Sequence, residues 1–302
     1  MQLLVDQYNV LLHNQRLFPE RSLFQSINWH DRMIAIKGTR GSGKTSCLLQ
    51  YARKYYPHER SCLYVDMNNL YFASHSLISF IDEFYKKGGK VLLLDQINKY
   101  HNWPEELNQA YEAYPDLQIV CAGSSLLRFD KPAELAAHVN IYQLQGLSFR
   151  EMINAHVKKK YSSYTLEEVL KNHTQIVPEI LKDLRPLAYF TDYLEAGYYP
   201  FSLDKKANYS QKLLKFINLM LEVDITYINQ IEIKYIHKLR KLLYLLALNA
   251  PLQPNVSKLS NEVEVSRATI MNYLKYLKDA GLINLLYAPN GAAMKKPDLV
   301  YL

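Results

Sequence analysis

Gly38-Thr39-Arg40-Gly41-Ser42-Gly43-Lys44-Thr45 is a complete G-x-x-x-x-G-K-[ST] pattern set between an apolar run and a helical stretch. Its glycines let backbone N–H groups turn inward on phosphate oxygens, and a helix opening at Lys44 aims its positive dipole end at them. Lys44 suits the β and γ phosphates, and the Thr45 hydroxyl suits Mg2+. The flanks agree with this reading. Met33-Ile34-Ala35-Ile36 makes a short buried strand, and Ser46 to Arg53 continues as a helix. The pattern therefore calls for a nucleoside triphosphate and Mg2+, cradled by Gly38, Thr39, Arg40, Gly41, Ser42, Gly43, Lys44, Thr45 and Ser46. Arg40 is placed either to touch the γ-phosphate or to remain solvated.

A loop of this kind stands at the end of a parallel sheet, and residues 1–155 carry the matching alternation of apolar strands and helical stretches. The expected strands are 33–37, 61–66, 90–95, 117–122 and 141–145. From about 156 to 235 the strand signal disappears. That stretch reads as a helical lid or connector, interrupted at Pro178, Pro186 and Gly197-Tyr198-Tyr199-Pro200. Residues 236–302 read as three helices followed by a hairpin. A chain of 302 residues, 49% hydrophobic, can bury more than one core and is not a disordered tail.

Cys47, Cys62 and Cys121 lack metal-ligand spacing and read as reduced, buried thiols of a cytoplasmic protein. No charged-then-apolar leader follows Met1, and the longest apolar run, around Leu242 to Leu248, is too short to cross a bilayer. No membrane partner is expected. The net charge of +7 permits nucleic-acid binding without establishing it. The 25 tyrosines suit either base stacking or half-buried packing among leucines.

Lys90-Val91-Leu92-Leu93-Leu94-Asp95-Gln96 is an aliphatic strand that delivers a carboxylate to the edge of the sheet. Asp95 is the natural partner of Thr45 at Mg2+, and Asp66, closing the previous strand, is a poorer candidate. The strand ending in Ala122-Gly123-Ser124-Ser125 offers Ser124 as a sensor of the γ-phosphate or a positioner of water. Ser125 would cap a helix expected over Ser125-Leu126-Leu127-Arg128.

At the C-terminal end, Ile236 to Leu248, Asn255 to Glu262 and Ser266 to Ala280 follow in helix-turn-helix order. Ile270, Leu274 and Leu277 form one buried stripe. Arg267, Thr269, Asn272, Tyr273, Lys275 and Lys278 are expected on the outward face, suited to phosphates and base edges of double-stranded DNA. A wing from Leu282 to Tyr287 would turn at Pro289-Asn290-Gly291, with Lys295 and Lys296 near backbone phosphate. The same polar face would serve equally as a solvated surface of a protein-docking or interdomain element.

Together the loop, the Asp95 strand, Asn98-Lys99-Tyr100-His101-Asn102-Trp103, Ala122-Gly123-Ser124-Ser125, Leu147-Ser148-Phe149-Arg150-Glu151 and Asp192-Tyr193-Leu194-Glu195-Ala196-Gly197-Tyr198-Tyr199-Pro200 resemble the prokaryotic AAA-type ATPases. In those proteins an AAA domain precedes a winged-helix region of unknown function (DUF4143-like). The resemblance implies a P-loop NTPase of the additional-strand class, with sheet order 5-1-4-3-2, followed by a helical region and a winged helix. It also implies ATP over GTP, and Arg150 as a contact to nucleotide across a subunit interface of a homo-oligomer. The plainer reading of Arg150 is a surface arginine paired with Glu151 or Glu112.

Two departures stand out. The family generally has Asp-Glu where this chain has Asp95-Gln96. A neutral amide orients water but cannot take its proton, a difference typically worth about 10²–10⁴ in rate. Slow hydrolysis follows, whether Gln96 is natural or an engineered trap. Family members also commonly continue into a nuclease-like domain, which would begin near Lys296 to Leu302. The sequence shown is thus expected either to be truncated or to lack that domain, and no nuclease carboxylates can be assigned. The expected function is a slow Mg-ATP-binding ATPase coupled to a winged helix that binds DNA. The alternative is a regulatory ATP switch whose winged helix docks protein, and a small-molecule kinase is disfavoured because no acceptor pocket is legible.

Overall fold

Four short runs form strands because each can bury apolar side chains between two layers of helices, the environment of a parallel sheet, and a fifth, mostly exposed, closes one edge. A computed structural model describes the chain apart from residues 15–19, 58–59, 130–132, 158, 204–207, 227–230 and 289–295. The strands are β1 (Met33–Gly38), β2 (Cys62–Asp66), β3 (Val91–Asp95), β4 (Gln118–Ser124) and β5 (Asn140–Leu144). Across the sheet they lie in the order β2-β3-β4-β1-β5, which is 5-1-4-3-2 counted from the other edge, and every pairing is parallel. The register sets Gly38 beside Ser124 and Leu144, and Asp95 beside Asp66. All the strand ends that carry polar groups therefore finish at one edge, where ligands of such sheets bind.

Helices α1 (Gln2–Asn14), α2 (Ser22–Ser26), α3 (Lys44–Tyr55), α4 (Leu77–Lys86), α5 (Trp103–Ala113), α6 (Ala133–His138) and α7 (Phe149–Val157) accompany the sheet. In α4, Leu77, Phe80, Ile81 and Phe84 recur at helical spacing and are all buried, while Ser76 caps the first turn by accepting the Ser79 N–H. The three cysteines are free and buried. The helix expected over Ser125 to Arg128 does not form. Leu126 belongs to the C-terminal core and Leu127 and Phe129 to the sheet core, so these neighbouring side chains must diverge, and the segment is a turn followed by irregular chain.

Beyond the sheet come α8 (Leu166–Asp183), α9 (Phe190–Ala196), α10 (Tyr209–Leu219), a π-helical turn (Met220–Ile225), α11 (Ile236–Asn249), α12 (Val256–Val263) and α13 (Arg267–Asp279). Strands β6 (Asn284–Leu286) and β7 (Leu299–Tyr301) then pair antiparallel, Leu285 facing Val300. A second apolar core gathers Leu221, Ile225, Leu242, Leu246, Val263, Ile270, Leu274, Leu277 and Val300. Pro178 does not interrupt its helix as expected. It lies inside α8, which starts from a Thr165–Glu168 capping box, and its surroundings are exposed, so water can serve the carbonyl left without a backbone donor. The expected turn Pro289-Asn290-Gly291 and Lys295 lie outside the described residues. Among the described residues no helix is long and apolar enough to cross a membrane.

Candidate phosphate-binding site

β1 ends at Gly38, where a Cβ would come within 2.4 Å of the Leu144 carbonyl oxygen, so only glycine lets β1 and β5 approach this closely. Gly43, the residue before α3, has φ 99°, a conformation that bends the chain into the helix and that L side chains resist. Between them the loop wraps so that the Lys44 ammonium donates to the Gly38 and Thr39 carbonyls, each at 2.9 Å. Burial pushes Lys44 down to about 8, against the charges of Asp95 and Asp224, which hold it up. The Ser42 hydroxyl is fully buried and has no hydrogen-bond partner among the described residues.

Thr45 and Asp95, expected from sequence to share a metal ion, meet directly: Thr45 Oγ1 donates to Asp95 Oδ2. The same carboxylate oxygen accepts from Tyr64 Oη at 2.9 Å, and its partner oxygen accepts the Gln96 N–H at 2.9 Å. Tyr64 was not anticipated, although it lies two residues before Asp66 on the same strand. Gln96 sits at φ 53° and its amide nitrogen donates to both oxygens of Asp66 at 3.0 Å. Burial and the charge of Asp95 raise the Asp66 carboxyl above its ordinary range, although hydrogen bonds from the Asn68 N–H and Gln96 oppose them.

A cavity of about 350 Å³ opens over these groups. Lys44, Thr45, Ser46, Asp95, Gln96 and Ser124 border it from the sheet, and Pro200, Phe201, Phe216 and Asp224 close it from the C-terminal region. Ser124 accepts the Leu126 N–H at 3.3 Å, taking the turn-capping place expected of Ser125. Arg40 is neither solvated nor free: it forms a two-pronged pair with Asp224, at 2.7 Å and 3.2 Å.

Beneath the loop lies an ion pair that the sequence did not disclose. Arg21, nearly buried, donates to the Ser42 carbonyl at 2.7 Å, to the Gln145 and Gly146 carbonyls at 2.8 and 2.7 Å, and to Glu151. Burial alone would raise the Glu151 carboxyl, but Arg21 and the N–H groups of Ser148 and Ser22 outweigh it and bring the group to about 2. The readable half of this arrangement was Ser148-x-x-Glu151, a capping box at the start of α7. Because Arg21 takes Glu151, Arg150 does not pair with it as the plainer reading expected. Arg150 donates to Ser22 Oγ at 3.2 Å.

On α13 the expected outward face is largely in place, with Arg267, Asn272, Lys275 and Lys278 exposed. Thr269 is half-buried and its hydroxyl lies 2.8 Å from that of Ser266, which caps the helix. Tyr273 is not on that face. It is 5% exposed and packs in the stripe Ile270-Tyr273-Leu274-Leu277, because the position three residues after Ile270 faces the core as surely as the fourth.

Residues 30–153 match the family model described as AAA domain, and residues 187–300 match that described as Domain of unknown function (DUF8612). The second match is to a different model from the DUF4143-like region expected. The chain is 26% identical over 278 residues to the uncharacterized protein MJ1637 of Methanocaldococcus jannaschii, covering 87% of this chain and 58% of the relative. It is 26% identical over 269 residues to MJ1544 of the same organism, covering 85% of this chain and 56% of the relative. The chain thus spans less than two thirds of the length of these relatives. A solved structure of AMPPCP-bound DnaA from Aquifex aeolicus aligns with a TM-score of 0.36 at 12% identity, over 89% of this chain and 90% of the other.

Proposed function

We propose that the chain binds Mg-ATP in the Gly38–Thr45 loop as an AAA-type ATPase, hydrolyses it slowly, and passes its nucleotide state to a winged helix formed by residues 236–302. One observation carries this reading: a half-buried lysine, a threonine hydroxyl and a strand-end carboxylate converge in a glycine-shaped loop at the C-terminal edge of a parallel sheet. The donor set fits the ligands. Thr45 and Asp95 are oxygen donors of the kind that would hold Mg2+, and the unpartnered Ser42 hydroxyl offers the loop one more polar group. Bound there, Mg2+ would neutralise charge on the β and γ phosphates. The choice of ATP rests on the AAA match over residues 30–153.

The chain's own groups define the rest of the chemistry. Lys44 would exchange its two carbonyl partners for phosphate oxygens, and the first N–H groups of α3 add a fixed positive dipole end. Gln96 has committed its amide nitrogen to Asp66, which leaves its carbonyl oxygen to orient water without accepting a proton. Ser124 at the end of β4 is the candidate sensor of the γ-phosphate, and Arg150 the candidate contact to a neighbouring subunit. Arg267, Thr269, Asn272, Lys275 and Lys278 would meet double-stranded DNA, while a protein-docking role for the same unit is the alternative.

Steady-state phosphate release from Mg-ATP tests the catalytic part, with Lys44→Ala as the control that should not bind. Gln96→Glu is paired with Asp66→Asn, because a new carboxylate 3.0 Å from Asp66 would otherwise share its proton. A rise of about 10² or more is expected. Equal rates above the control would mean that water is activated elsewhere. For DNA, Lys275→Ala and Lys278→Ala should each weaken duplex binding and reduce its salt slope by about 1. Unaltered chain that fails to bind duplex at low salt would favour the protein-docking reading.

A further inference from the structure

The C-terminal region meets the sheet half at several points, and three of those joints differ in kind. Leu126, from the turn after β4, is seated in the C-terminal core. Gly281, just after α13, lies so close to the loop that a Cβ there would come within 2.4 Å of Thr39 Cγ2. The third joint is charged: Asp224, 7% exposed, grips Arg40 from the π-helical turn that follows α10. Its neighbours in that turn, Leu221 and Ile225, are themselves core residues, so Asp224 is rigidly tied to the C-terminal unit.

The charged joint differs from the other two because it stands inside the same cavity as Lys44 and Thr45. Arg40 is the third residue of the loop that would wrap a triphosphate. A carboxylate fixed there competes with phosphate for Arg40 and repels the polyanion across the shared cavity, at separations shorter than a Debye length, where salt screens incompletely. The arrangement is therefore antagonistic: one guanidinium, two anions, only one of them part of the chain. The apolar joints are indifferent to such charge.

We infer that Asp224 is an internal counter-ion of the phosphate loop: it holds Arg40 until a triphosphate displaces it, and its release loosens the C-terminal unit from the loop. This rests on the nucleotide reading given above and adds to it the direction of coupling. Asp224 weakens nucleotide binding, and nucleotide weakens the joint.

Hydrogen exchange of the full chain with and without Mg-ATP tests the inference, together with equilibrium binding of Mg-ATP. In the unaltered protein, Mg-ATP should protect residues 38–46 and raise exchange across 209–226. Asp224→Asn should bind Mg-ATP on the order of tenfold more tightly. It should also show raised exchange in 209–226 before nucleotide is added, with little further rise afterwards. Protection of 38–46 with unchanged or lowered exchange at 209–226 would sink the counter-ion while leaving nucleotide binding intact. So would unchanged or weaker binding by Asp224→Asn. Loss of both binding and protection in the unaltered chain would overturn the nucleotide reading and this inference together. The exchange measurement needs no variant, so a poorly folding Asp224→Asn does not block the test.

Discussion

Helices α4 and α8 carry nearly the same apolar spacing and meet opposite fates. In α4, Leu77, Phe80, Ile81 and Phe84 are all buried against the sheet layer. In α8, Leu166, Val169, Leu170, Val177 and Leu181 also fall at helical spacing, yet the helix contains no buried residue, and Leu166 and Leu170 remain 75% and 68% exposed. An amphipathic pattern specifies a face that prefers cover, and the topology decides whether the chain supplies it. The sheet half supplies it by alternation, because each helix returns over the strands it joins. Helix α8 leaves the sheet after β5 and α7, and among the described residues no later strand joins the five-stranded sheet to bring it back.

The sharpest way to break the contrast is at a buried ion pair of the sheet half. Arg21→Ala removes the cation beneath the loop and strands Glu151, which should cost about 3–5 kcal/mol. Urea denaturation should show the loss as a lower midpoint. An unchanged midpoint would mean that the sheet half tolerates an orphaned buried carboxylate and is looser than its packing indicates. Leu93→Ala, at a fully buried position in β3, sets the matching apolar scale at about 2–5 kcal/mol.

The same pair sets an acid limit. Glu151 falls from the ordinary glutamate range to about 2 in the folded chain, so its contribution is complete above about pH 4.5 and is lost as pH falls from there toward 2. The shift amounts to about 3 kcal/mol. Stability measured from pH 6 down to pH 2.5 should decline through this window, and Glu151→Gln should flatten that part of the decline. An identical decline in the variant would assign acid sensitivity to other carboxylates.

What the sequence disclosed follows the same division. Parallel strands buried on both faces must be near-continuous apolar runs, so β1 to β4 were legible almost to the residue, as were the loop and Asp95, whereas β5, an exposed edge strand reading Asn140-Ile141-Tyr142-Gln143-Leu144, carries no such run. Tyr273 was misjudged because its hydroxyl made it look polar, whereas its ring fills the position between Ile270 and Leu274 on the buried stripe. Arg21 and Glu151 stand 130 residues apart and Arg40 and Asp224 184 apart. No local spacing rule connects such pairs. The first depends on how the two ends of the sheet half close on each other and the second on how the C-terminal unit meets the loop, which periodicity does not encode.

The smallest expected effect bears most directly on α8. Leu170→Ser removes a large apolar side chain that touches little, so the stability of the isolated chain should change by no more than about 0.5 kcal/mol. Leu93→Ala, losing a comparable volume from β3, should cost several times as much. A loss above about 1 kcal/mol at Leu170 would show that the stripe is covered in solution. Repeating the melt at several protein concentrations then identifies the cover. A loss that grows with concentration means a second copy lies on α8, since association stabilises by mass action. A concentration-independent loss means the chain covers its own helix, and the contrast with α4 would disappear.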